Sequence, residues 1–188
     1  VPSGATLTVS GTMNASSITA GTLAIAQGGT GAATFAAAGL VNTPAFQAYV
    51  SSTQSLSTNT MTKVEFDTEV FDTAGAYDKD TNYRFTPQTA GKYVVYATVF
   101  TGGASSGSST SGGFITNIKK NGSDASYNAF YLYNNTTGVD GSKSASIVLD
   151  MNGSSDYVEC FTYSRQNTTS IAGAAEYTYF GSYKLIGV

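Results

Sequence analysis

From Pro44 to the C-terminus, apolar and polar residues alternate with a period of two through a series of short segments. These are "AFQAYVSS", "MTKVEFDTEVF", "NYRFTPQ", "KYVVYATVF", "FITNIKK", "YNAFYLYN", "SASIVLDM", "DYVECFTYS" and "YTYFGSYKLIGV". A period of two sends successive side chains to opposite faces of an extended chain, so each segment reads as a half-buried β-strand. The turn clusters "TAGAYDKD", "QTAG", "GGASSGSSTSGG", "NGSD", "NNTTGVDGS" and "NGSS" divide them. Many short strands at this spacing predict an antiparallel sandwich or jelly roll over residues 44–188. One segment is apolar on both faces: Tyr93, Val95, Ala97 and Val99 alternate with Val94, Tyr96, Thr98 and Phe100. Such a strand needs two covering surfaces. One face is expected in the sandwich core and the other between subunits.

Residues 1–43 have a different texture. Their large side chains are Leu7, Val9, Met13, Ile18, Leu23, Ile25, Phe35, Leu40 and Val41, in pieces such as "TLTV" and "TLAIA" separated by Ser-Gly and Ala-Gly. Burying one such side chain yields about 1.5–3 kcal/mol, whereas fixing each backbone residue costs about 1–2 kcal/mol. The segment therefore cannot fold alone. A flexible linker has no reason to keep Leu-x-Val or Leu-x-Ile alternation. The expectation is a thin β-rich stalk in which identical chains bury their apolar edges against one another. In "LAIAQGGTGAATFAAAGL" (residues 23–40), Gly28, Gly29 and Gly31 suit a sharp reversal where backbones crowd together, with Leu23 and Ile25 at the same junction. "QGGTGA" lacks the Gly-Lys-Ser/Thr of a phosphate loop and is too short for a dinucleotide fingerprint. "ATFAAAGL", residues 33–40, is expected to form a short helix with Phe35 and Leu40 on its buried side. The start, "VPSGATLTVSG", lacks the regions of a signal peptide and reads as the middle of a longer chain.

Composition narrows the function. Of 188 residues, 11% are charged, below the roughly 25% usual in soluble domains. The net charge is -3 and the nine basic residues are scattered, which argues against nucleic acid as a partner. No apolar run approaches the ~20 residues of a membrane span. The absence of histidine removes the usual Ser–His and Cys–His nucleophile pairs and the commonest zinc ligand. Cys160 is the single cysteine and sits in a strand pattern, where it reads as a buried small hydrophobe.

Carboxylates offer little more. Glu65, Asp67 and Glu69 share a face of an extended segment; a solvated surface is preferred over a cation site or an acid pair for sugar hydrolysis. "DKDTN", Asp78 to Asn82, begins like a calcium loop, but Tyr83 stands at the glycine position and Thr89 at the bidentate glutamate position. No catalytic residue, metal ligand or cofactor is assigned, and a structural calcium ion on surface aspartates is left open. "YNAFYLYNN" puts Tyr127, Tyr131 and Tyr133 on one side of a strand, with Asn134 and Asn135 following. Tyrosine offers apolar area and a hydroxyl at low entropy cost, so these five residues are the receptor-contact candidates. The alternative is that the tyrosines line a subunit interface.

The order of elements resembles the globular head of the C1q/TNF-like family. The residues that carry the resemblance are Ala45, Phe46 and Ala48; Phe66 and Asp67; Tyr77 and Asp78; Phe85, Thr86, Gly91 and Tyr93; and the closing Phe180, Gly181 and Leu185. Pro87 sits one place from the usual proline. The resemblance covers residues 44–188 and implies a homotrimeric jelly-roll head. The Gly-Gly-Thr-Gly stretch resembles the segment of bacteriophage tail fibres that precedes a distal domain. Together they imply the distal part of a trimeric tail fibre at the virion tip, extracellular and non-enzymatic. Its partners would be the rest of the fibre before residue 1 and a bacterial surface receptor, glycan or protein. Three alternatives stand beside this reading: a trimerisation or capping head without receptor contact, a polysaccharide depolymerase, and a secreted C1q-like animal protein. The last fits the sequons at Asn121, Asn135 and Asn167 but lacks a collagen-like Gly-x-y stalk.

Overall fold

Period-two alternation yields strands nearly everywhere it occurs. The computed structural model describes residues 34, 35, 38, 40–102, 111–133, 140–165 and 169–187, with the backbone alone at residues 111, 112, 130–133 and 169. The described strands are β1 (Ala45–Tyr49), β2 (Gln54–Leu56), β3 (Thr62–Lys63), β4 (Thr68–Asp72), β5 (Tyr77–Asp78), β6 (Arg84–Phe85) and β7 (Gly91–Gly102). They continue with β8 (Ser111–Lys120), β9 (Ser123–Tyr133), β10 (Gly141–Met151), β11 (Val158–Ser164), β12 (Thr169–Ile171) and β13 (Tyr179–Lys184). All lie within one unit, Asn42–Val188.

Two antiparallel sheets form. The first runs β2-β12-β7-β13-β1-β4, with β10 on the far side of β7; the second runs β5-β6-β11-β8-β9, with β3 beside β6 on β11. "MTKVEFDTEVF" is not one strand but two, because the chain changes sheets inside it. β3 pairs with β11 in the second sheet and β4 with β1 in the first. The crossing residues drop Val64 and Phe66 into the space between, both fully buried. β8 and β9 are joined at Asn121-Gly122, both with positive φ (51° and 80°), the two-residue turn whose twist matches a hairpin.

The core is aromatic. Phe46 stacks on Tyr77 at 4.5 Å and on Phe85 at 4.6 Å, and meets Phe180 edge-on at 5.1 Å. Phe66 leans on Phe180, and Phe85 meets Tyr93. Val95, Ala97, Val99, Ile118, Val158 and Cys160 complete the buried layer. Burial pushes the Cys160 thiol pKa far up, so it stays a neutral apolar side chain. The Tyr77 hydroxyl donates to the Phe66 carbonyl at 3.0 Å inside this layer. Tyr77→Phe leaves that carbonyl without its donor, and chemical denaturation is expected to show a loss of about 1–2 kcal/mol.

The short helix expected over residues 33–40 is not found among the described residues. Thr34 lies in a bend, Phe35 and Ala38 in turns, and Ala38 N–H donates to the Thr34 carbonyl at 3.0 Å. Eight residues fall short of the ~12–15 that an isolated helix needs in water. Phe35 is 72% and Leu40 48% exposed in the single chain, so neither marks a buried side.

Candidate functional site

Each sheet has an outward face, and the two differ in chemistry. On β7, Tyr93, Val95, Ala97 and Val99 point into the core, leaving Val94, Tyr96, Thr98 and Phe100 outward. Registers extend that outer row. Val94 stands opposite Val148 and Tyr183, Tyr96 opposite Ser146 and Gly181, and Thr98 opposite Ser144 and Tyr179. Across β1 the same face continues through Tyr49, Gln47 and Ala45. None of these residues is charged; Lys92 and Asp150 pair at its end. A Cβ on Gly181 would lie 2.4 Å from the Tyr96 ring and hydroxyl, so glycine is what lets this tyrosine lie across the sheet and donate to Gln47 Oε1 at 3.2 Å. A groove of about 510 Å³ opens beside it, lined by Tyr96, Thr98, Tyr127, Asn128, Ser144 and Tyr179.

The six-stranded sheet presents the second face. Its registers set Lys63 opposite Phe161, Phe161 opposite Asn117, and Asn117 opposite Tyr127, a row across four strands. Lys63 Nζ lies 5.6 Å and Lys119 Nζ 5.1 Å from the centroid of the Phe161 ring. Lys63 also pairs with Glu159, and Lys119 with Asp124 at 3.1 Å. Asn117 is fully buried; its Nδ2 donates to Asp124 at 2.8 Å while its Oδ1 has no hydrogen-bond partner. Beside this row Arg84 stacks over the Tyr157 ring at 4.5 Å.

Of the receptor-contact candidates, Tyr127 lies on the edge strand of this second face, also borders the groove beside Tyr96, and is 51% exposed in the single chain. Tyr131 and Tyr133 follow on β9 opposite Gly113 and Ser111, two residues apart and so at positions of the same face. Asn134 and Asn135 lie outside the described residues, as do Leu23, Ile25, Gly28, Gly29 and Gly31. Sequence reasoning missed Lys63, Asn117, Lys119 and Phe161. The alternation in "VECFTYS" places Phe161 outward, but only register brings it to Asn117 and Lys63.

The acidic stretches serve as turn and loop anchors. Glu65 and Asp67 precede β4 rather than sharing a strand with Glu69. Asp67 accepts from the Ser51 N–H (2.8 Å) and the Ser51 hydroxyl (2.6 Å). Asp78 accepts from the N–H groups of Asp80, Thr81 and Asn82 and from the Asn82 amide, so its oxygens close the "DKDTN" turn on itself. Tyr83 follows at φ 48°, the left-handed conformation expected of the glycine it replaces. Among the described residues no three His, Cys, Asp or Glu side chains converge as metal ligands.

These carboxylates make stability sensitive to acid. For Asp67, partial burial works to raise the pKa, but the bonds from Ser51 and Thr68 outweigh it and hold the group low. Asp78 is lowered by Asn82 and Thr81, Asp124 by Asn117 and Lys119, and Asp156 by Lys120 and Asn121. A carboxyl whose folded pKa lies below its unfolded value of about 3.9 contributes stability that is whole above that value and lost as pH falls through the folded pKa. Melting temperature is therefore expected to stay level from neutral pH to about 5 and to drop below about 4, modestly because these groups are solvent-screened. Asp67→Asn should remove part of that drop.

No protein-family model matches the sequence, and no curated protein does. Solved structures do match. Murine APRIL at pH 5.0 superposes with a TM-score of 0.51 and 13% identity, covering 75% of this chain and 98% of that one. The globular domain of zebrafish complement 1qA gives 0.48 at 14% identity over 76% and 97% of the two chains. Eiger TNF from S. frugiperda gives 0.48 at 11% over 79% and 96%. The strand order, the aromatic core and the likeness to APRIL together establish the unit Asn42–Val188 as an all-β jelly roll with the fold of that structure.

Proposed function

We propose that this chain is the distal part of a trimeric bacteriophage tail fibre, a non-enzymatic attachment protein at the virion tip that contacts a bacterial surface receptor. The observation that carries the trimer is the outer face of the seven-stranded sheet. It spans β10, β7, β13 and β1 without a charged residue between its ends, and it exposes aromatic and aliphatic surface, with Val148 52% exposed. A face of that size and character is an interface rather than a solvated surface. The sequence of residues 1–43 favours the same assembly: it holds too little apolar area to order alone, and its Gly-Gly-Thr-Gly stretch resembles the segment of tail fibres that precedes a distal domain.

With one face committed to self-association, receptor contact falls to the other. Asp67, one of the three carboxylates from which an acid pair could be drawn, is held by Ser51 as a loop anchor, which favours binding over hydrolysis. Light scattering of the chain should report three times the chain mass, and the trimer should adsorb to susceptible bacteria and compete with phage. A single-chain mass, or adsorption to no bacterium the phage infects, would sink the proposal.

A further inference from the structure

We infer that the outer face of the six-stranded sheet holds a site for an uncharged saccharide, built on Tyr127 and on Phe161 with the ammonium groups of Lys63 and Lys119 over its ring, and with Asn117 between them. The inference deepens the attachment reading above by naming the class of receptor. Three observations carry it.

The first is spacing. Phe161 and Tyr127 flank Asn117 one strand to either side, which sets them about 9–10 Å apart across the sheet. Tyr127 offers a half-exposed ring on which the C–H face of one pyranose packs, while the ammonium groups that lie over the Phe161 ring offer donors to the hydroxyls of the next. Tyr127 adds a hydroxyl to its exposed ring.

The second is charge. The two cations at Phe161 are each matched by a carboxylate, Lys63 by Glu159 and Lys119 by Asp124. The patch therefore carries hydrogen-bond donors without net positive charge. A polyanion gains little from it and would meet the two carboxylates. A ligand bearing hydroxyls rather than charges fits that balance.

The third is an unmet hydrogen bond. Asn117 is fully buried on the outward side of β8, and its Oδ1 is the one buried side-chain oxygen or nitrogen without a partner among the described residues. Leaving such an acceptor unmade costs about 1–3 kcal/mol. Lys119, two residues along the same face, has a flexible stem. It shares Asp124 with Asn117, so a ligand hydroxyl that took up the lysine would also disturb the group beside Asn117.

The test uses the full chain on a glycan array of neutral hexose, 6-deoxyhexose and N-acetylhexosamine oligosaccharides beside uronic- and sialic-acid ones, followed by titration of the hits. The expected result is binding to a neutral class that is insensitive to added sodium chloride. Phe161→Ala and Tyr127→Ala should each weaken it by about tenfold. Tyr127 is half exposed, so its replacement keeps the fold, and an unchanged melting curve checks both variants. Binding confined to acidic glycans, no neutral binding, or neutral binding untouched by both substitutions overturns the assignment. Trimer mass and bacterial adsorption are read separately. Adsorption without neutral-glycan binding leaves the attachment reading standing and removes this site. Neutral-glycan binding through Phe161 with no adsorption does the reverse.

Discussion

Phe46→Ala should destabilise the head by about 3–5 kcal/mol, a large share of the roughly 5–15 kcal/mol that holds a domain folded. Phe46 is fully buried and sits at the centre of the aromatic layer. It stacks nearly parallel on Tyr77 (9°), lies over Phe85, and takes the edge of Phe180 at 79°. Truncation removes three ring contacts, each contributing about 0.5–1.5 kcal/mol beyond area burial. It also leaves a cavity that rings anchored on β5, β6 and β13 cannot collapse to fill. Urea titration at fixed protein concentration measures the loss, since assembly makes apparent stability depend on concentration. Phe46→Leu should recover part of it. A loss under about 1 kcal/mol for the alanine variant would mean that the stacked cluster is not what holds the two sheets together.

Phe46 also illustrates what local pattern can convey. It opens the first alternating segment, and the aromatics that carry the C1q/TNF resemblance (Phe46, Phe66, Tyr77, Phe85, Tyr93 and Phe180) are the rings of the buried cluster. Burial parity is a property of one strand, so alternation reports it directly. The Asn121-Gly122 turn is local as well. Other features depend on what lies across the sheet. β2, β5 and β12 are two or three residues long, too short to display a period; β2 pairs with β12 and β5 with β6, and β12 and β6 are held in turn by the longer β7 and β11. "MTKVEFDTEVF" alternates throughout yet breaks in the middle, because alternation cannot say when a chain passes from one sheet to the other.

The candidate site was legible only at Tyr127, in a stretch conspicuous for its tyrosines. Lys63, Asn117, Lys119 and Phe161 come from three strands, and nothing near any of them in sequence marks it. Their meeting is fixed by register, and register is set by turns and core packing elsewhere. The helix expected over residues 33–40 is not found among the described residues, for a related reason. Alanine favours helix locally, but so short a piece needs packing to persist, and that lies beyond what the eight residues contain.

On the trimer proposed above, Val148→Lys is expected to yield single chains while leaving the fold intact. Val148 lies on the outer face of β10 opposite Val94 and is half exposed in the isolated chain. A lysine there extends into water, and surface changes of this kind stay within about 0.5 kcal/mol. The same lysine at a buried interface loses its hydration at a cost of several kcal/mol, repeated in each of three chains, and the acid nearest it on this face, Asp150, is already paired with Lys92. Light scattering should fall from three-chain to one-chain mass, with near-ultraviolet circular dichroism unchanged. Val148→Ile keeps the apolar surface and should remain assembled. On the attachment reading, bacterial adsorption should fall as well, because joining three weak sites raises avidity by about 10²–10⁴ and a monomer would forfeit that gain. A variant that keeps its trimer mass would take this face out of the interface. The uncharged stripe of Tyr96, Tyr179 and Tyr183 would then have to be a surface for something other than a second copy of the chain.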